Sequence, residues 1–154
     1  MTEKKQLKVK SIRNGTVIDH ITANRALSVL NILNLPDNET SMMVAINVES
    51  PDMEFKDIVK IENRELSSDE VDKLVLLAPQ ATINIIRDYE ITRKAQLELH
   101  DEITGVISCS NPNCISNSNE PIETKFYVQN KEPVELRCHY CERTMDLDDI
   151  ESQF

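Results

Sequence analysis

Thr16 to Pro36 read TVIDHITANRALSVLNILNLP, and the change of periodicity inside this stretch decides the fold. Thr16, Ile18 and His20 alternate with Val17, Asp19 and Ile21, the period of two that belongs to a strand with two distinct faces. From Thr22 the spacing lengthens. Ala23, Ala26, Leu27, Leu30 and Leu33 recur at intervals that form one apolar stripe on a helix, with Thr22 placed to cap its start and Leu35-Pro36 to stop it.

Working outward, two further strand-like runs follow, SMMVAINV (Ser41 to Val48) and FKDIVKIE (Phe55 to Glu62). Ser67 and Glu70 have the spacing of a capping box, which predicts a second helix from Glu70 to Pro79, because proline disfavours helical geometry at the residue before it. ATINII (Ala81 to Ile86) reads as another strand, and YEITRK (Tyr89 to Lys94) is placed to pair back with it. The order β-α-β-β-α-β is the split arrangement of ferredoxin-like folds. The expectation is an α+β chain whose first domain covers residues 1–98, joined near residues 95–102 to a small all-β module over residues 99–154.

That module contains all four cysteines, in two short pairs: CSNPNC (Cys109 to Cys114) and CHYC (Cys138 to Cys141). No early apolar run precedes a cleavage site and no stretch approaches 18 apolar residues, so neither export nor membrane insertion is indicated and a cytoplasmic protein is expected. Thiols stay reduced in that compartment, and paired thiolates there are metal ligands rather than disulfides. Each short loop turns two sulfurs toward one point, and two loops fill the four tetrahedral corners that Zn2+ prefers. The expected cofactor is one structural Zn2+ per chain on Cys109, Cys114, Cys138 and Cys141, with iron in a rubredoxin-like site as the alternative metal. His139 reads as an outward-facing loop residue rather than a fifth ligand. The strand-like runs Ile103 to Cys109, Thr124 to Gln129 and Val134 to Cys138 carry too little apolar material to hold together alone, so metal binding must contribute much of the folding free energy. The acidic tail MDLDDIESQF reads as a solvated end.

The first domain has no P-loop, no Gly-rich dinucleotide fingerprint and no recognisable Ser/His/Asp arrangement, and the whole chain has two glycines, so catalysis is not expected. With a net charge of −10 and no dense basic aromatic face, it is a poor nucleic-acid binder; the basic start from Lys4 to Arg13 reads as a solvated strand or arm. Within this acidic chain Lys56 and Lys60 share one strand face, and Arg93 and Lys94 end the last run. Strand lysines commonly blunt an exposed sheet edge. The alternative is an anion site in which ammonium groups face a phosphate chain while Asp19 and His20 exchange hydrogen bonds with a sugar or base.

GTVIDHI (Gly15 to Ile21), KIEN (Lys60 to Asn63), APQAT (Ala78 to Thr82), NCIS (Asn113 to Ser116) and the two cysteine pairs occur together, and in this order the chain resembles the regulatory chain of aspartate carbamoyltransferase over essentially its whole length. The resemblance implies an N-terminal domain that binds CTP as inhibitor and ATP as activator, with UTP a further candidate effector, and that pairs two regulatory chains into a homodimer. It implies a zinc domain that docks on separate catalytic trimers in pyrimidine biosynthesis. Carried over by position, the nucleotide pocket comprises Ile12, Val17, Asp19, His20, Lys60, Asn84, Ile86, Tyr89, Ile91 and Lys94, with Lys56 close by. Lys60 and Lys94 would meet the phosphates and base region, and Asp19 and Tyr89 would hold ribose and base. Asn111, Asn113, His139, Tyr140, Glu142 and Arg143, around the knuckles, resemble the catalytic-chain interface.

Overall fold

The computed structural model describes residues 11–154, so most of the basic arm read from Lys4 lies outside the described residues. The N-terminal sheet is built from β1 (Gly15–Thr22), β2 (Met42–Ser50), β3 (Glu54–Glu62), β4 (Thr82–Arg87) and β5 (Glu90–Gln96), in the order β2-β3-β1-β4-β5. All neighbours are antiparallel. Without β5 this is the ferredoxin-like order, and β5 extends it by the hairpin expected of YEITRK. Helices α1 (Ala26–Ile32) and α2 (Ser68–Leu77) connect the strands. Ile18, Ile21, Val59, Ile61 and Ile83 of the sheet pack with Val29, Leu30, Leu33, Leu74 and Leu77 in one buried core. One face of the sheet is thus spent on the core and the other lies outside it.

Several local causes are those read in the sequence. Ser67 caps α2: its hydroxyl accepts from the Glu70 N–H at 3.2 Å, and the Glu70 carboxylate accepts from the Ser67 N–H at 3.0 Å. Gly15 opens β1 with φ +141°, and a Cβ there would stand 2.0 Å from the Ile61 carbonyl oxygen, so no other residue fits.

Other expectations are corrected. Strict alternation in β1 fails after Asp19: Ile18 pairs with Val59, but the next partner of β3, Asp57, is met by Ile21. A bulge at Asp19-His20, with His20 at φ 57°, absorbs the extra residue. Ile21 is therefore fully buried with Thr16 and Ile18, while His20 is only partly so. Helix α1 begins later than expected. Its N-cap position is Arg25, not Thr22, and no side chain of its own caps it. The buried face also differs from the expected stripe: Val29 is buried and Leu27 is 63% exposed.

The second sheet runs β6 (Glu102–Thr104), β7 (Lys125–Lys131), β8 (Val134–Cys138) and β9 (Thr144–Met145), antiparallel in that order. The run from Ile103 leaves strand geometry at Gly105, which has φ 72°. The acidic tail is not a solvated end. Its residues Leu147–Glu151 form helix α3, capped by Asp146 and Asp149 reciprocally at 2.9 and 3.2 Å. Met145 and Ile150 are fully buried, and Glu151 reaches α1, pairing with Arg25 at 2.6 Å and accepting from the Ser28 hydroxyl at 2.9 Å. The tail therefore ties the second module to the first domain.

Because Ile150 is enclosed, Ile150→Ala should lower the unfolding free energy by about 2–5 kcal/mol. A change within about 0.5 kcal/mol in denaturant titration, the usual surface result, would return the tail to solvent.

Candidate functional site

Two regions carry the chemistry, one in each sheet. In the second, the four thiols converge so that all four sulfurs lie within 4.8 Å of one another. Bonds of about 2.3 Å at tetrahedral angles require sulfur separations of about 3.8 Å. Cys109 and Cys141 are 3.7 Å apart and Cys114 and Cys138 3.6 Å, so the cage has the size of a four-thiolate site before any ion is added. The close pairs join one knuckle to the other, and a metal there would lock the loop after Ser108 to the hairpin end of β8.

The surroundings act unequally on the four thiols, holding Cys109 and Cys138 up and bringing Cys114 and Cys141 down. Burial pushes the Cys109 thiol up, to about 12; donation from the Asn111 N–H opposes this, and the neighbouring Cys141 and Cys138 sulfurs add to the rise. Burial also raises Cys141, but donation from the Arg143 N–H and the Asn111 side chain, with the Cys109 and Cys138 thiols, outweighs it and brings this group to about 7. Four thiols this close cannot all ionise without a cation, and a divalent ion removes that conflict. Three polar residues hold the first knuckle. The Asn111 side chain accepts from the Asn113 N–H at 3.1 Å, and the Asn117 amide donates to the carbonyls of Cys109 and Asn111 at 2.9 and 2.7 Å. The Ser116 hydroxyl lies 3.1 Å from the Cys114 sulfur. Sequence reading passed over Ser116 and Asn117; their place just after the second thiol of the pair was the available signal.

Around this cage Asn113, His139, Tyr140, Glu142 and Arg143 are exposed, whereas Asn111 is buried and turned into the knuckle. His139 bonds the Tyr127 hydroxyl through Nδ1 at 2.7 Å, and the Tyr140 hydroxyl donates to the Glu123 carbonyl at 2.9 Å, so the rings are held rather than loose.

The second region is the open face of the N-terminal sheet. Lys60 pairs with Val17, Val17 with Asn84, and Asn84 with Lys94, so one rung crosses four strands with two ammonium groups at its ends. Gly15 pairs with Ile86, and Ile86 with Ile91, two positions further along. Asp19 receives the Lys56 ammonium at 2.9 Å, and His20 Nε2 stands 3.4 Å from Asp52. Ile12 is buried at 3% exposure, and Tyr89, in the β4–β5 turn at φ 67°, is 66% exposed. Strand β3 is interior to the sheet, so Lys56 and Lys60 do not blunt an edge. Lys60 is partly withdrawn from water, which lowers its pKa against the pull of Asp19. The Asn84 side-chain oxygen and His20 Nδ1 are both buried without a hydrogen-bond partner, and His20 Nδ1 is 3.7 Å from Asp19, beyond bonding reach. Two orphaned polar atoms beside paired cations are what a polar anionic ligand would satisfy.

A cavity of about 940 Å³ opens on the other side of the sheet, between α2, β4–β5 and the segment leading into β6. Acidic groups outnumber cations in its lining: Glu65, Asp72, Glu98 and Glu102 stand against Arg87, Arg93 and His100, and Arg87 is paired with Glu65 at 3.0 Å.

Residues 7–98 match the family model for the aspartate carbamoyltransferase regulatory chain, allosteric domain, and residues 101–151 match that for the regulatory chain, metal binding domain. The chain belongs to the aspartate carbamoyltransferase regulatory-chain family. A regulatory chain from Methanosphaera stadtmanae is 74% identical over 98% of this chain and 99% of its own length, and one from Methanothermobacter thermautotrophicus is 60% identical over 97% and 96%. One from Methanococcoides burtonii is 53% identical over 95% and 92%. The chain is thus a regulatory, non-catalytic subunit with an allosteric and a metal-binding domain, the latter built on the four clustered cysteines. Among the described residues no helix is long and apolar enough to cross a membrane.

Since the ligands bind metal as thiolates, protons compete for them. The purified chain should carry one metal ion, lose it progressively as pH falls below neutrality, and lose it at neutral pH in Cys114→Ser. Metal analysis showing a stoichiometric ion retained by Cys114→Ser would contradict the four-sulfur site.

Proposed function

We propose that the ion is Zn2+ and that this chain binds CTP as inhibitor and ATP as activator of an aspartate carbamoyltransferase catalytic trimer, with UTP competing for the same face. The carrying observation is the rung Lys60, Val17, Asn84, Lys94 with its orphaned polar atoms. In a chain of net charge −10 the general field repels a nucleoside triphosphate, and local ammonium groups must supply the attraction. Lys60 and Lys94 take the phosphates and base edge, Asp19 and Tyr89 hold ribose and base, Asn84 and His20 gain partners, and Val17, Ile86, Ile91 and Ile12 give the apolar floor. Lys56, held by Asp19, adds charge for further phosphate.

Residues 1–98 form the effector unit and residues 99–154 the docking unit. Its contact surface is the exposed set Asn113, His139, Tyr140, Glu142 and Arg143, with Asn111 acting from beneath by shaping the first knuckle. A closed four-thiolate cage leaves no corner for water or substrate, which fits a structural ion. Homodimerisation through the N-terminal domain is supported by β2, an edge strand with Ile46 at 45% exposure. The assembly acts in the cytoplasm, in pyrimidine biosynthesis.

The test is to add the full chain to an aspartate carbamoyltransferase catalytic trimer and assay with CTP and with ATP. Turnover should fall with CTP and rise with ATP. Each charge-assisted contact contributes roughly 1.5–3 kcal/mol, so Lys60→Ala should weaken CTP binding about 10- to 150-fold in calorimetry and flatten both responses. Unaltered CTP affinity in Lys60→Ala would place the nucleotide elsewhere.

A further inference from the structure

β3 lies between two strands that each break register at the same level. On one side β1 slips between Ile18 and Ile21, opposite Val59 and Asp57; on the other β2 slips between Ala45 and Val48, opposite Ile58 and Lys56. A bulge leaves backbone groups without ladder partners. Asn47, the left-handed residue of the β2 bulge at φ 58°, gives its N–H to Asp57 Oδ1 at 2.9 Å. The other oxygen, Oδ2, accepts at 3.0 Å from the N–H of Ala26, one of the first-turn donors that a helix cannot satisfy within itself. The carboxylate is fully buried. On the opposite face its sequence neighbour Lys56 holds Asp19 at 2.9 Å, and Asp19 in turn accepts from the His20 N–H at 2.6 Å. Consecutive residues of β3 thus hold the β2 bulge and the start of α1 on one face of the sheet and Asp19 of the β1 bulge on the other.

We infer that Asp57 is a positioning residue for the effector face: its carboxylate ties the β2 bulge to the start of α1, its backbone pairs with Ile21 just after the β1 bulge, and so it sets where Asp19 and His20 stand. The inference rests on the reading that nucleotides bind this face. Asp57 touches no ligand there. Its effect is transmitted through backbone register, which no contact list of the face would show.

Asp57→Asn keeps the shape but turns one acceptor into an N–H2 group facing an N–H donor. Amide exchange at His20 and Asn47 should then quicken at least tenfold, and CTP affinity of the full chain should fall by about tenfold, an effect of the size expected for one lost charge-assisted bond. Leu74→Ala, which opens a cavity in α2 away from both bulges, serves as the control, both variants being measured well below their melting temperatures. The inference is overturned if Asp57→Asn leaves His20 exchange unchanged, if it leaves CTP affinity unchanged while Lys60→Ala lowers it, or if Leu74→Ala produces the same changes. Should Lys60→Ala also leave CTP affinity intact, the effector reading fails instead, and exchange at His20 alone decides the role of Asp57. If Asp57→Asn does not fold, the unmodified chain decides: the Ala26 and Asn47 amides should exchange through one opening with equal protection, and an Asn47 amide more than a hundredfold less protected than Ala26 would overturn the shared carboxylate.

Discussion

The convergence of four sulfurs is the constraint on which the second half of the chain depends. Its sheet of short strands encloses Phe126, Leu136, Met145 and Ile150, too few large apolar groups to offset the ordering of some fifty residues without another source of free energy. Cross-knuckle pairs at 3.6 and 3.7 Å give a cage that only a bound cation makes favourable, since uncompensated thiolates repel. What the cage closes is more than a loop. Cys138 ends β8, Cys141 follows in the turn before β9, and α3 then carries Glu151 to Arg25 and Ser28 at the start of α1. Metal binding and the attachment of the allosteric domain are therefore consecutive parts of one stretch of chain.

The N-terminal sheet divides its labour by face. The helices cover one side, and the register of β3, β1, β4 and β5 places Lys60, Val17, Asn84 and Lys94 in line on the other. Partial burial depresses the Lys60 pKa, and the Asn84 oxygen is buried without a hydrogen-bond partner, both unfavourable for the sheet on its own. A site that is incompletely satisfied when empty gains more on binding an anion, and allosteric control needs binding free energy that differs between states.

What could be read from the sequence depended on how local the cause was. The capping box at Ser67 and Glu70 depends on four residues, and the cysteine spacing on two short loops; both were legible. Lys60 and Lys94 are 34 positions apart and fall on one rung, at its two ends, only through the pairing of three strand boundaries, so resemblance, not spacing, put them in one site. The β1 bulge was missed because one extra residue inverts every later face, and His20 is not the glycine that would announce a left-handed position. The α1 cap was missed for a related reason: the acceptor comes from Asp57, 31 residues downstream. Its signal was present, since in FKDIVKIE the alternation puts an aspartate on the apolar side with Val59 and Ile61. The tail was misjudged because its cap uses aspartate at both positions, which reads as bulk acidity until Ile150 is seen to be enclosed.

The central claim is that effectors occupy the open face of the five-strand sheet. Backbone amide shifts of the full chain, followed by NMR during CTP titration, test it most directly. Perturbations should cluster at Val17, Asp19, Lys60, Asn84 and Lys94 and saturate together; a cluster instead at Val75, Leu97 and Ile103, around the cavity on the helix side, would contradict it.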